Sequence, residues 1–174
     1  DNTNKTKPTQ AIAEVEQSDG SKVDQKIEDA IDIAAGANHT LILRKDGTVW
    51  ATGYNNKGQL GDGTTKTTNK FHKVKGENGV GYLQNIVQIA AENNTSHALT
   101  ADGVYSYGYN YYGQFGNNTT TDESANPYPV KMQKVSNIIQ ITAGEQHISM
   151  LDADGSVWST GYNGYGQFGI GTAD

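Results

Sequence analysis

The sequence predicts an all-β array of repeats, and three observations support that fold class. A nine-residue phrase occurs three times, as GYNNKGQLG at residues 53–61, GYNYYGQFG at 108–116 and GYNGYGQFG at 161–169. The first glycines of these copies are 55 and 53 residues apart, a spacing typical of a supersecondary unit that stacks on copies of itself. Upstream of each phrase, an Asp-Gly pair and a Val-aromatic pair follow in the same order.

The first thirty residues look like a polar leader, but they follow the plan of the segments between later copies. A Thr/Asn-rich stretch is followed by a short apolar strand at residues 11–15, a polar bend at 18–21 and a run into the first full period. We therefore expect residues 1–33 to be the tail of an earlier repeat. Residues 23–35 carry the best helix signal, yet their equivalents in the other periods alternate like strands, so we expect strand in the second half.

A β-hairpin is expected around each Asp-Gly pair, because this pair readily adopts the positive φ of tight turns. Residues 39–43 and 49–52 flank the pair at 46–47, and the third period repeats the arrangement around 154–155. The second period is one residue shorter between Gly103 and Gly108. Its turn or its strand register should therefore differ from the others.

Taken together, these motifs resemble the repeat of the regulator of chromosome condensation family, and the resemblance covers essentially the whole chain. It implies β-propeller blades, each of about four antiparallel strands, in three periods at residues 1–61, 62–116 and 117–174. Closed propellers usually have four to eight blades. Three blades therefore imply an open arc, or a ring that copies of the chain complete through their end blades, with six or nine blades in all.

The second period departs from the other two at neighbouring positions. Glu92 stands where they have Gly36 and Gly144, and Thr95 stands where they have His39 and His147. Counting back from the Asp-Gly pair shows that His97 is not the missing equivalent.

Composition and charge exclude several classes of function. The net charge of -6 argues against a nucleic-acid partner, since such binding depends on Lys and Arg neutralising phosphates. The absence of cysteine excludes disulfides and thiolate metal sites. No apolar stretch approaches the length needed to span a bilayer, so no membrane insertion is expected.

No catalytic, cofactor or metal site stands out, and we expect no enzyme. The turn aspartates are explained by their hairpins, and the loop glycines lack the Lys-Ser or Lys-Thr of a phosphate-binding loop. His39 and His147 occupy the same position in the first and third periods, so we expect them to lie on different blades, too far apart to share a metal. We expect the loop glycines and glutamines to be structural: Gly53, Gly58, Gln59, Gly61, Gly108, Gly113, Gln114, Gly116, Gly161, Gly166, Gln167 and Gly169.

Tyrosines are the residues in the loops that could carry function, because tyrosine supplies rigid, amphipathic area at protein interfaces. At the second loop position we expect packing against the neighbouring blade: Tyr54, Tyr109 and Tyr162. At the variable positions packing and partner contact remain equal alternatives: Tyr111, Tyr112 and Tyr165. Asn55, Asn110 and Asn163 are expected to close the loops.

The sequence therefore favours a non-catalytic propeller scaffold that binds a protein. The composition, rich in Asn, Thr, Gly and Tyr, is typical of a bacterial surface or secreted protein, and the start at Asp1 suggests a piece of a longer chain. Three alternatives stay open: a secreted inhibitor of the β-lactamase-inhibitor type, a propeller like the guanine nucleotide exchange factors, and an excised or engineered fragment that self-assembles. An inhibitor would need its contact aromatics clustered on one face.

Overall fold

A computed structural model describes residues 3–122 and 124–173. In these residues the chain forms β-strands and one 3-10 turn (Glu77–Gly79), with no α-helix. The strands are β1 (Ile12–Glu16), β2 (Lys22–Lys26), β3 (Ala30–Ala35), β4 (His39–Arg44), β5 (Val49–Gly53), β6 (Thr68–Lys73), β7 (Ile86–Glu92), β8 (Thr95–Thr100), β9 (Gly103–Gly108), β10 (Asn126–Lys131), β11 (Ile138–Ala143), β12 (His147–Asp152) and β13 (Val157–Gly161).

The strands form three antiparallel meanders, which we call blades 1, 2 and 3. Blade 1 has the order β3-β4-β5-β6, blade 2 has β7-β8-β9-β10, and blade 3 has β11-β12-β13. The prediction of all-β propeller blades is confirmed. Blade 3 has three strands in the described residues instead of the four expected, and no described strand pairs with the outer edge of β13.

An N-terminal hairpin adds two strands to the outer edge of blade 1. β1 pairs antiparallel with β2, and it meets β6 in parallel through the single pair Ala13 and Phe71. Ala13 packs with Ile42, Trp50 and Phe71. Both halves of the segment with the helix signal are strands, so the expectation for the second half is confirmed, and the first half is strand too.

Each blade has two faces, because side chains alternate along its strands. We call the face that contacts the preceding blade the leading face and the other the trailing face. Between blades 1 and 2, the trailing face contributes Leu43 and Val49, and the leading face contributes Ile86 and Ile89. Tyr107 of blade 2 is fully buried in the same core.

A second core of the same design lies between blades 2 and 3. Leu99 and Val104 come from the trailing face of blade 2, and Ile141, Ile148 and Met150 come from the leading face of blade 3. The apolar residues of the repeat therefore fill the spaces between blades, which explains why each period needs a neighbour to bury its strands.

The hairpin turn of blade 2 differs from that of blade 1, as the shorter spacing predicts. In blade 1, Gly47 has φ +75° and its N–H donates to the carbonyl of Arg44 at 2.9 Å. In blade 2, Thr100 pairs directly with Gly103, so the turn has one residue fewer.

Steric contact explains why blade 2 departs from the repeat at two positions together. A Cβ on Gly36 would lie 2.2 Å from Cε1 of His39, and one on Gly144 would lie 2.1 Å from Cε1 of His147. The histidine therefore requires the glycine. Blade 2 has Glu92 at the glycine position, and the smaller Thr95 replaces the histidine.

We expect Gly36→Ala to destabilise the fold by about 1–3 kcal/mol, the usual cost of overpacking, because the added methyl group would press on the buried His39 ring. The cause is the His39 ring, so adding His39→Thr should recover part of the loss, and the two changes should be strongly non-additive. Urea unfolding of both single variants and the double variant measures this coupling. Additive losses would contradict the steric explanation.

Candidate functional site

The three repeated phrases form loops that follow the third strand of each blade. We call them loop 1 (residues 53–61), loop 2 (108–116) and loop 3 (161–169). They begin at the ends of β5, β9 and β13. Because equivalent strand ends of stacked blades lie side by side, the loops line one face of the arc.

A buried asparagine closes each loop. In loop 2, Oδ1 of Asn110 accepts from the N–H of Phe115 at 2.9 Å, and its Nδ2 donates to the carbonyl of Thr119 at 3.0 Å. Asn163 does the same with Phe168 and Thr172, both at 3.0 Å. These bonds satisfy backbone groups that a loop would otherwise leave unpaired.

A glutamine ties each loop at a second point, because its Oε1 accepts from the N–H two residues earlier. The pairs are Gln59 with Lys57 (2.9 Å), Gln114 with Tyr112 (3.0 Å) and Gln167 with Tyr165 (2.9 Å). In loop 1 the other end of the side chain crosses to blade 2, since Nε2 of Gln59 donates to Oδ1 of Asn94 at 2.9 Å. The glutamine thus fixes its own loop and joins it to the next blade.

Glycine is required where each loop leaves its strand. Gly53, Gly108 and Gly161 have φ of +112°, +103° and +110°, and a Cβ there would lie 2.4–2.5 Å from a backbone oxygen of the preceding turn. Positive φ also occurs at the other loop glycines singled out from the sequence: Gly58, Gly61, Gly113, Gly116, Gly166 and Gly169.

Side chains at the fifth position of one loop lie on the second position of the next loop. The Nζ of Lys57 is 5.6 Å from the ring centre of Tyr109. The ring of Tyr112 is 5.0 Å from that of Tyr162. Position five is therefore used for contact between loops, and Tyr165 occupies it in loop 3.

Five tyrosine rings form a continuous network across loops 2 and 3, which we call the tyrosine surface: Tyr109, Tyr111, Tyr112, Tyr162 and Tyr165. The Tyr111 ring is 5.0 Å from Tyr112 and 6.1 Å from Tyr109, and the Tyr162 ring is 5.9 Å from Tyr165. Residues 108–121 and 161–173 contain no Lys, Arg, Asp or Glu. Loops 2 and 3 thus contribute an aromatic surface without charges of their own, and Lys57 of loop 1 lies against its Tyr109 edge. An open cleft of about 390 Å³ lies beside Tyr112.

The structure brings the three candidate contact residues together but gives them different surroundings. Tyr111 and Tyr165 are exposed, whereas Tyr112 is half-buried between Tyr111 and Tyr162. Tyr54 is exposed and lies outside the ring network. Sequence spacing alone could not separate the exposed tyrosines from the half-buried Tyr112. The contact that buries Tyr112 joins position five of one loop to position two of the next, which belongs to a different period.

A larger cleft of about 820 Å³ lies between the N-terminal hairpin and blade 1. Its lining carries charges of both signs, and Lys22 and Glu14 there form an ion pair at 2.7 Å. Nδ1 of His72 lies 3.9 Å from Oε1 of the same Glu14 carboxylate.

Buried polar groups on both faces of blade 2 were missed from the sequence. Nε2 of His39 lies 2.8 Å from Oγ of Ser96, and Nδ1 of His97 lies 2.8 Å from Oγ of Ser106. Nε2 of His97 is 3.6 Å from Oε1 of Glu92, and both side chains are fully buried. The sequence signal was that Glu92 replaces the glycine of the other two periods. This replacement alone does not indicate that the Glu92 side chain faces His97.

In the described residues no group of three or more His, Asp or Glu side chains could hold a metal ion. Burial, with a smaller electrostatic contribution from His97, lowers the pKa of His39 to about 4. Burial also raises the pKa of Tyr107. Both side chains are therefore neutral at pH 7 and belong to the contact between blades.

Two models of one repeat family match most of the chain. The regulator of chromosome condensation (RCC1) repeat matches residues 46–99 and 102–151 in one form, and 30–59 and 138–167 in the other. The chain belongs to the RCC1 repeat family. Among the described residues, none of the helical segments has the length and apolar character that crossing a bilayer requires.

Curated relatives share the repeat but are much longer. The Protein RCC2 homolog of Danio rerio is 35% identical over 134 residues, which is 76% of this chain and 26% of the relative. The probable E3 ubiquitin-protein ligase HERC4 of Homo sapiens is 34% identical over 141 residues, 80% of this chain and 13% of the relative. The chain therefore spans about a quarter or less of the length of these relatives.

Solved structures share the fold. Human WBSCR16 has a TM-score of 0.68 at 26% identity, over 83% of this chain and 37% of that one. Prp20p of Saccharomyces cerevisiae has a TM-score of 0.66 at 27% identity, over 80% of this chain and 33% of that one. The RCC1 repeats thus pack here as they do in larger propellers.

We expect the free energy of unfolding to fall as the pH falls from 7 to 4. The folded-state pKa of His39 is about 4, below the ordinary 6.5, so the unfolded chain binds a proton in this window that the folded chain excludes. The loss should reach roughly 3 kcal/mol. His39→Gln, which keeps a partner for Ser96, should make the pH dependence shallower in chemical unfolding at each pH, and an unchanged slope would contradict this assignment.

Proposed function

We propose that this chain is part of a non-catalytic propeller scaffold that binds another protein through the tyrosine surface. The observation that carries the proposal is the position of Tyr111. Its ring is exposed and contacts only tyrosines of its own loop among the aromatic rings. The equivalent residues of loops 1 and 3 are Asn56 and Gly164, so blade packing does not require an aromatic side chain there.

The surroundings of Tyr111 favour a protein partner. Tyrosine supplies a large contact area at low conformational-entropy cost, and the neighbouring rings limit the freedom that would be lost on binding. The closed loops hold the rings on a rigid support, which also lowers the cost of association. The net charge of -6 and the absence of charges from loops 2 and 3 support a protein partner over a nucleic acid.

The solved relatives support a binding role in a general way. The printed description of Prp20p refers to its binding to Gsp1p and histones, and another structure shows Kap60 bound to that protein. Gsp1p, histones and Kap60 are binding partners of Prp20p. What this chain shares with it is the repeat and the fold.

A secreted inhibitor is the second candidate, because its contact aromatics would need to cluster on one face and the tyrosine surface meets that requirement. The Asn-, Thr-, Gly- and Tyr-rich composition supports the proposal that the protein is extracellular or on a bacterial cell surface. A role like that of the guanine nucleotide exchange factors has less support, because the chain carries a net charge of -6.

The binding proposal is tested by comparative capture with immobilised protein from an extract of cells that produce it. We expect at least one protein to be retained by the unaltered chain and lost with Tyr111→Ser. Titration of that protein should then show affinity reduced about thirtyfold or more, the size typical of a central contact residue.

The matched control is Tyr82→Ser, which removes a similarly exposed tyrosine far along the chain from the loops. Capture should survive this change. A set of captured proteins that is the same for Tyr111→Ser and the unaltered chain would overturn the proposal.

A further inference from the structure

Lysine ammonium groups of this chain lie over its own tyrosine rings. At the edge of the tyrosine surface, Nζ of Lys57 is 5.6 Å from the ring centre of Tyr109. Away from the loops, Nζ of Lys73 and Nζ of Lys75 lie 5.1 Å and 4.7 Å from the ring centre of Tyr82. The face of a tyrosine ring attracts a cation through its quadrupole. The tyrosines of this protein therefore accept cations where the chain supplies them.

Tyr111 is at least as exposed as Tyr82, but no Lys or Arg of the described residues lies over its ring. The exposed fractions are 47% and 40%, and the described rings that contact Tyr111 are those of Tyr109 and Tyr112. Asn56 holds the same position in loop 1 and is exposed too, although blade 2 lies beside blade 1. The exposure of Tyr111 therefore comes from its place in the loop and not from an end of the arc.

The part of the chain that carries this ring is strongly acidic. Residues 76–174 contain nine Asp or Glu and two Lys or Arg, at positions 131 and 134. The Lys131 side chain lies at the start of β9, where a Cβ on Gly103 would be 3.0 Å from its Cε. Loop 2 begins at the other end of that strand. This lysine therefore does not offset the negative charge near Tyr111.

Asp122 is an exposed acid that follows loop 2. The N–H of Thr121 donates to the carbonyl of Asn110 at 3.2 Å, and these two residues are the chain neighbours of Asp122 and Tyr111. The Asp122 and Tyr111 side chains thus start close enough for one long side chain of a partner to contact both. A carboxylate and a tyrosine ring both favour a positive charge.

Resting on the binding function proposed above, we propose that the partner docks an arginine-bearing segment on the tyrosine surface, with one guanidinium stacked on Tyr111 and paired with Asp122. A guanidinium is planar and weakly hydrated, so it can stack on a ring while its N–H groups donate to a carboxylate. A lysine ammonium is a compact and strongly hydrated charge, which makes it the poorer fit. Arginine and tyrosine are also enriched among the residues that dominate interface energies.

The same charges disfavour other kinds of segment. An acidic segment would meet the net negative charge of residues 76–174, and the repulsion would slow and weaken its association. A purely apolar segment would cover the Asp122 carboxylate without giving it a partner, which costs free energy. A basic segment satisfies both the ring and the carboxylate.

The test is selection from a library of random peptides displayed on phage, with the unaltered chain as bait and counter-selection against Tyr111→Ser. Peptides that need Tyr111 should be enriched in arginine above its frequency in the unselected library, and more strongly than in lysine. Aromatic or acidic enrichment without arginine would overturn the proposal, as would a failure to select any peptide that needs Tyr111.

A selected peptide then measures the two contacts separately. Replacing its arginine by citrulline keeps the shape and removes the charge, and the dissociation constant should rise about tenfold. Asp122→Asn in the protein should weaken binding of the arginine peptide about threefold, the size expected of an exposed ion pair, and should leave binding of the citrulline peptide unchanged. Equal affinity of the unaltered chain for the two peptides would contradict the role given to the guanidinium.

Asp102→Asn is the matched control, because it removes an exposed carboxylate from the turn between β8 and β9, at the other end of blade 2. Affinity for the arginine peptide should fall with Asp122→Asn and stay unchanged with Asp102→Asn. Equal losses would mean that only the net charge matters, which would overturn the stacked and paired arrangement. The capture experiment tests the binding function separately: a partner captured through Tyr111 while no arginine peptide is selected would support that function and remove this inference.

Discussion

Apolar contact between the trailing face of one blade and the leading face of the next is the interaction on which this structure depends. Each blade is a thin antiparallel sheet, and its apolar side chains are covered only when another blade lies against it. The buried pairs of Val49 with Ile89 and Val104 with Ile141 repeat one design. Burial of such side chains is worth roughly 1.5–3 kcal/mol each, so a blade without neighbours has little to stabilise it.

The loops form a rigid surface, because they begin at strand ends that the stacked blades hold in place. Buried asparagines and glutamines satisfy the backbone inside each loop, and Gln59 also reaches Asn94 of the next blade. The side chains between these fixed points are then free to vary. Loop 2 uses that freedom for Tyr111, where loop 1 has Asn56 and loop 3 has Gly164, and the result is an aromatic surface on a support that stacking holds in place.

Much of this fold could be predicted because its signals are local. The Asp-Gly turns, the alternating strands and the shorter second turn all follow from residues close in sequence, and the glycines and amides of the loops recur in register. What joins different periods could not be read. The packing of Tyr112 on Tyr162 is not visible within one period. Glu92 and His97 belong to one period, but their spacing does not show that the two side chains approach each other. The pairing of β1 with β6 was also beyond the sequence, because it joins segments that are far apart along the chain.

Native-state hydrogen exchange on dilute, monomeric protein tests the dependence on stacking most directly. Blade 2 is the blade covered on both faces, and β8 is buried along its whole length, whereas burial alternates along β12. Protection follows local stability, so the amides of β8 should exchange much more slowly than those of β12, although both strands are central in their sheets. Equal protection in the two strands would contradict the account, because it would mean that each blade is stable without its neighbours.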